Sequence, residues 1–89
     1  MKAIVTVVGK DQVGIIAAVA NKLAQYQVNI LDISQTVMQG YFTMMMVVDM
    51  SAASVAVAEL AGCMEEMGNE KGLSIRVQRE DIFEAMHRI

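Results

Sequence analysis

The 89-residue sequence has no proline and no tryptophan, one cysteine and one histidine. With Cys63 alone, no internal disulfide can form, and neither a CxxC pair nor a Cys/His metal-ligand spacing occurs. A reducing cytoplasm is the expected home. His87 has no Ser, Cys or paired carboxylate in its sequence context to make a nucleophile-and-base pair, and reads as a surface or interface residue of the tail. Seven basic residues stand against ten acidic ones, for a net charge of −3. The basic residues are scattered, whereas a nucleic-acid phosphate footprint needs Lys and Arg in clusters. Aromatic residues make up 4% of the chain, and the segments that would have to stack bases carry Val, Ile and Met instead, which excludes an RNA-recognition module. No apolar run approaches the length needed to cross a bilayer. The apolar start, Lys2 to Val8, is cut off by Lys10 and Asp11 before it could form a signal-peptide core. Linkers, low-complexity segments and repeats beyond two βαβ halves are missing too.

What the chain does have is apolar surface: 55% of residues are hydrophobic and 19% charged. The length fits one domain, residues 1–89, of near-minimal size. Such a domain hides only roughly 60–65% of the surface of its unfolded chain. An apolar supply richer than a lone domain needs predicts that some of it meets a second copy, so a homodimer is expected.

Hydrophobic periodicity divides the chain into alternating elements. Lys2 to Val8 is β-branched and apolar on both faces, as in a central strand. From Val13 to Tyr26 the period becomes helical, with Ile16, Val19, Ala20, Leu23 and Tyr26 on one side. Asn29 to Met38 alternates, with Leu31, Ile33 and Val37 on one face, and reads as an edge strand. Gln39-Gly40 makes a tight turn into Tyr41 to Met50, apolar on both faces and so a second central strand. Ser51 and Ser54 are candidate caps for a second helix with Val57, Leu60, Ala61, Met64 and Met67 as its stripe and Gly72 as its end. Leu73 to Arg79 alternates as a second edge strand. The order βαββαβ, with strands one and three doubly apolar, predicts an α+β, ferredoxin-like sandwich with antiparallel sheet order 4-1-3-2. Both crossovers are then right-handed, both helices lie on one face and the opposite face is open. Residues 80–89 form a short amphipathic tail in which Ile82, Phe83, Met86 and Ile89 share a side, with Asp81 and Glu84 at its start. That tail is expected to cover sheet of its own chain or of a partner.

Candidate functional residues lie where the first strand meets the first helix, in Gly9-Lys10-Asp11-Gln12-Val13-Gly14-Ile15-Ile16. Exposed N–H groups at a helix start can receive an anion. In the plainer reading, Gly9 and Gly14 relieve tight turns and Asp11 caps the helix. The loop lacks the Gly-Lys-Ser/Thr end of a Walker A motif and the three-glycine spacing of a dinucleotide fingerprint. An acylphosphatase-like site would need an arginine here, and the loop offers only Lys10. Asn29 opens the second strand near the exit of the first helix, so it reaches this loop only if two chains pair; alone it is a turn residue. Met44, Met45 and Met46 alternate faces and cannot make one metal site, so packing and dimer contact explain them. Cys63 reads as a small buried hydrophobe.

The run GKDQVGIIAAVANKLAQYQVNILDISQT resembles the opening half of ACT domains, with their D-x-x-G-[IL] loop and the Asn-Ile pair after the first helix. The remainder fits the same order, and the tail IRVQREDIFEAMHRI resembles small proteins made of one ACT domain alone. The resemblance implies a non-catalytic regulatory domain that binds an amino acid at an interface between domains and acts on a regulated protein partner. Carried over by position, it makes Asp11, Gln12, Val13, Gly14 and Ile15, with Asn29 and Ile30, the ligand-binding candidates, and it calls for no metal and no cofactor. Many relatives have proline where this chain has Val13, and some have asparagine where it has Asp11. The chemistry suits a zwitterion: the helix start receives a carboxylate, Asp11 an ammonium group, and Asn29 both donates and accepts. The competing reading is a protein-interaction module that uses the apolar sheet or the tail and has no small-molecule ligand.

Overall fold

The computed structural model of the chain describes residues 1–82. Its elements are β1 (Lys2–Lys10), α1 (Ile15–Gln25), β2 (Asn29–Met38), β3 (Tyr41–Asp49), α2 (Val57–Lys71) and β4 (Leu73–Arg79). The sheet runs β2-β3-β1-β4 with every neighbouring pair antiparallel, the expected 4-1-3-2 order read from its other edge. Gln39 and Gly40 both take positive φ, 50° and 82°. Two such residues in succession give the twist that lets β2 return directly as β3.

Strand pairing assigns each side chain to a face. Ala3, Val5 and Val7 of β1 pair with Val48, Met46 and Met44 of β3, and Val5 and Val7 also face Val77 and Ile75 of β4. All of these are buried in one cluster with Ile15, Val19 and Leu23 of α1 and Leu60 and Met64 of α2, so both helices cover one face. Met44 and Met46 are fully buried, worth about 1.5–3 kcal/mol each. Met45, between them, points to the open face, where Val8, Met38 and Tyr41 are also exposed. Ile4 shares that face by its pairing with Val47, is buried, and stands outside the helix-side cluster.

Four local expectations are corrected. The helix begins at Ile15, not Val13, and Ile15 takes the core position assigned to Ile16, which is exposed. Leu31, Ile33 and Val37 of β2 are 46%, 42% and 55% exposed, although Ile33 and Val37 sit on the helix face opposite Met46 and Phe42. The core extends over β1, β3 and β4 and reaches β2 only at the partly buried Ile30. Neither serine caps α2, whose N-cap is Ala56 with no side-chain bond. Ser51 instead donates from both its N–H and its Oγ to the Asp49 carboxylate, at 2.9 and 2.6 Å, which holds the Asp49 carboxyl below its usual range. Ser54 donates from Oγ to the Tyr26 carbonyl at 3.2 Å. Finally, Gly9 is not a turn residue: it lies in β1, where an added Cβ would come within 2.5 Å of Leu73 Cδ2.

Gly68 marks a close approach of α2 to the sheet. A Cβ there would lie 2.7 Å from the Leu73 carbonyl oxygen and 3.1 Å from Ile75 Cγ1. Alanine favours a helix interior by about 1 kcal/mol over glycine, but here backbone would have to move. Gly68→Ala is therefore expected to lower stability by about 1–3 kcal/mol, the usual range for overpacking, measured as a shifted midpoint in denaturant melts. A stabilised variant would mean that α2 sits farther from β4.

After β4 the chain starts a helical turn at residues 80–82, where Arg79 Nη2 pairs with Asp81 Oδ2 at 2.9 Å. The expectations for Phe83, Glu84, Met86, His87 and Ile89 lie outside the described residues.

Candidate ligand-binding site

The loop after β1 is held at both ends. The Asp11 N–H donates to the Gly40 carbonyl at 2.8 Å, tying the loop to the β2–β3 turn. The Gln12 side-chain amide donates to the Lys71 carbonyl at 3.0 Å, tying it to the end of α2. Gly14 then turns the chain into α1 with φ of 86°, a left-handed conformation that suits a residue without Cβ. Val13, between these anchors, is fully exposed.

Gly14 is itself the N-cap, with no side-chain cap bond and no acidic residue in the first turn. Asp11 therefore does not cap the helix, which removes the plainer reading of that residue. The first backbone bond of α1 runs from the Ala18 N–H to the Gly14 carbonyl at 2.9 Å. The N–H groups of Ile15, Ile16 and Ala17 are the donors that a helix start leaves without an intrahelical acceptor, at the positive end of the macrodipole.

These groups border a shallow groove of about 270 Å³ lined by Asp11, Gln12, Gly14, Ile15, Ile16, Ala17, Gln35, Val37 and Phe42. Four expected residues, Asp11, Gln12, Gly14 and Ile15, meet there; Val13 does not line it. Sequence reasoning missed Gln35, Val37 and Phe42, which reach the groove through the β2–β3 ladder, where Val37 pairs with Phe42 and Gln35 with Met44. The alternation of β2 placed Val37 and Gln35 on one face; only the sheet order and the turn at Gly40 bring that face to the loop.

Asn29 and Ile30 lie at the other end of the sheet. Asn29 pairs with Asp49, while Lys10, next to Asp11, pairs with Tyr41. The eight steps between them along β3 span about 26 Å at roughly 3.3 Å per residue. Within one chain they do not meet the loop. Pairing puts Ile30, opposite Val48, on the groove's face and Asn29, opposite Asp49, on the other.

Elsewhere, Cys63 is half-buried and accepts a hydrogen bond from Tyr26 Oη at 3.4 Å, a contact that raises the Tyr26 hydroxyl above its ordinary pKa. Its place on the helix stripe is thus less enclosed than expected. Among the described residues, no group of three or more His, Cys, Asp or Glu is placed to hold a metal ion, and no helix is long and apolar enough to cross a membrane.

The chain is similar along its length to proteins of the same size. A UPF0237 protein of Bifidobacterium longum is 54% identical over 88 residues, covering 99% of this chain and 98% of that one. An ACT domain protein from Streptococcus pneumoniae superimposes with a TM-score of 0.82 at 48% identity, covering 98% of each chain. The regulatory subunit of aspartate kinase from Thermus thermophilus shares the fold, with a TM-score of 0.66 at 24% identity over 86% of this chain and 50% of that one. The ACT domain family model matches residues 2–78. That is a regulatory, ligand-binding domain type, and its match spans all six elements except the last residue of β4. With the βαββαβ order, the sheet order and the full-length relatives in agreement, the chain belongs to the ACT domain family.

Proposed function

We propose that this protein is a non-catalytic, cytoplasmic regulatory domain that pairs with a second copy and binds one small amino acid between Asp11 and Ile15, signalling its presence to a regulated protein. The observation that carries this reading is the uncapped start of α1 opening on a groove beside the Asp11 carboxylate. An α-carboxylate fits the free N–H groups and an α-ammonium group fits Asp11.

The pairing rests on β2. It is ten residues long, exposed beyond Ile30, and lies at the sheet edge with Leu31, Ile33, Val37 and Met38 uncovered. Long, apolar edges are templates for pairing with another strand. An antiparallel pair of β2 strands with its twofold axis at Ile33 brings the start of one strand, beyond its register shift at residues 30–32, alongside Gln35 to Val37 of the other. Val37 lines the groove, so the partner's strand start closes it, with Ile30 on the groove's side.

Calorimetric titration with neutral amino acids tests the reading. Saturable binding with one ligand per chain is the expected result. The absence of heat at millimolar concentration would transfer support to the second reading, a protein-interaction module. That alternative is favoured by the open-face patch of Val8, Met38, Tyr41 and Met45.

A further inference from the structure

We infer that residues 83–89 fold back on the open face of their own sheet and seat Phe83 and Met86 over Ile4 and Val47. The observation behind this is a difference along one strand. Ile4 and Val8 both belong to β1, both point to the open face and both have a strand on either side. Ile4 pairs with Val47 and Gln78, Val8 with Thr43 and Ser74. Yet Ile4 is 6% exposed and Val8 43%. Thr6, between them on that face, and Val47, beside Ile4, are half-buried. Strand side chains stand roughly perpendicular to the sheet, so neighbours in the sheet shield their flanks and leave their tips open. A nearly closed tip needs something above it. The buried residues of α1 and α2 all belong to the cluster on the other face, so neither helix supplies that cover.

The chain after β4 is delivered to this place. Arg79, the last residue of β4, pairs with Ala3, the neighbour of Ile4. The helical turn at residues 80–82 is tied back to that strand end. The Asp81 carboxylate accepts from Arg79 Nη2 at 2.9 Å and from the Ile82 N–H at 3.0 Å. Residues 83–89 therefore start close to Ile4 and need no linker to reach it, whereas a partner's tail would have to displace them. A helix continued from residue 80 to residue 89 rises about 15 Å at 1.5 Å per residue. That is about three strand spacings of roughly 4.8 Å, enough to pass over both Ile4 in β1 and Val47 in β3. Phe83 and Met86, three positions apart, share one side of such a helix. Ile82, 48% exposed, stands at the edge of the seat. The open face is then divided: closed at the Ile4 end, and free at the Val8, Met38 and Tyr41 end, where apolar side chains stay exposed.

The chain has two phenylalanines, Phe42 and Phe83, and Phe42 is buried on the helix face. A phenylalanine ring in contact with Ile4 must therefore be Phe83, which nuclear Overhauser spectra of the full-length protein can detect. The expected result is cross-peaks from the Phe83 ring to methyl groups of Ile4 and Val47. In an isotope-filtered spectrum of labelled and unlabelled chains refolded together, the same cross-peaks should vanish, because the contact lies within one chain. A soluble nitroxide should broaden the Ile4 methyl signals less than those of Val8, and in Phe83→Ser that protection should be lost while Val8 is unchanged. Cross-peaks that persist in the filtered spectrum would assign the tail to a second copy and overturn the inference. So would a wild-type spectrum without Phe83 contacts at Ile4, or protection of Ile4 that survives Phe83→Ser. The wild-type spectra decide the matter even if Phe83→Ser fails to fold.

Discussion

Ile33→Pro is expected to convert the proposed dimer into a monomer while leaving the protomer folded. The Ile33 N–H donates to its neighbour's carboxylate, Asp32 Oδ1, at 2.9 Å and so is not committed to the ladder with β3. Proline is tolerated in an edge strand where its missing N–H would face outward, and it places the preceding residue in extended backbone, which β2 already has. Toward a second β2 the same ring removes a donor and adds bulk near the twofold axis, and symmetry applies the loss twice. Two lost backbone bonds at about 0.5–1.5 kcal/mol each weaken association by on the order of 10- to 100-fold before steric conflict is counted. Light scattering at micromolar concentration should read one chain's mass for Ile33→Pro and two chains' for wild type, with thermal melts of the variant still cooperative. An unchanged dimer would place the interface elsewhere, with the open face as the next surface to test.

Asp11→Ala is expected to weaken amino-acid binding by about ten- to a hundredfold, the value of roughly 1.5–3 kcal/mol for a hydrogen bond to a charged group. Its folding stability should stay close to wild type. Were Asp11 the helix cap, the variant would lose about 1 kcal/mol of stability; but Gly14 fills that position and α1 has no side-chain cap to lose. Calorimetry and denaturant melts on the same sample separate the two roles. Asn29→Ala is expected to have the smaller effect on affinity, because strand pairing directs Asn29 to the face away from the groove and Ile30 toward it. A larger loss from Asn29→Ala than from Asp11→Ala would mean that the partner's strand carries more of the ligand than the loop does.

The fold was legible because the two central strands announce themselves. Lys2 to Val8 is apolar on both faces, and Tyr41 to Asp49 places Phe42, Met44, Met46 and Val48 on one side of a strand whose other side is also partly apolar. Apolar residues on both faces suit a strand in the interior of the sheet, with neighbours on both edges. The helix register was harder to read, since Ile15 and Ile16 are adjacent, equally apolar and at the helix start, and the left-handed Gly14 decides which of them turns inward. The alternation of β2 was real, but alternation does not reveal whether a helix buries it, and neither described helix buries Ile33 or Val37. Close approaches such as Gly9 on Leu73 and Gly68 on the Leu73 carbonyl join residues far apart in sequence and leave no local signature. For the same reason the loop half of the site could be read from Asp11 to Ile15, whereas its strand half, Gln35, Val37 and Phe42, emerged only from the ladder that carries β2 past the loop.

The central claim is that a small amino acid occupies the groove between the start of α1 and β2. Nuclear magnetic resonance of the ¹⁵N-labelled protein, titrated with threonine, tests it most directly. The amides of Gln12 to Ala17, with Gln35, Val37 and Ile30, should shift in a saturable way, while those of Val8, Tyr41 and Met45 on the open face should move little. No saturable shift at millimolar threonine, serine or glutamine, or shifts centred on Val8, Tyr41 and Met45, would contradict the account.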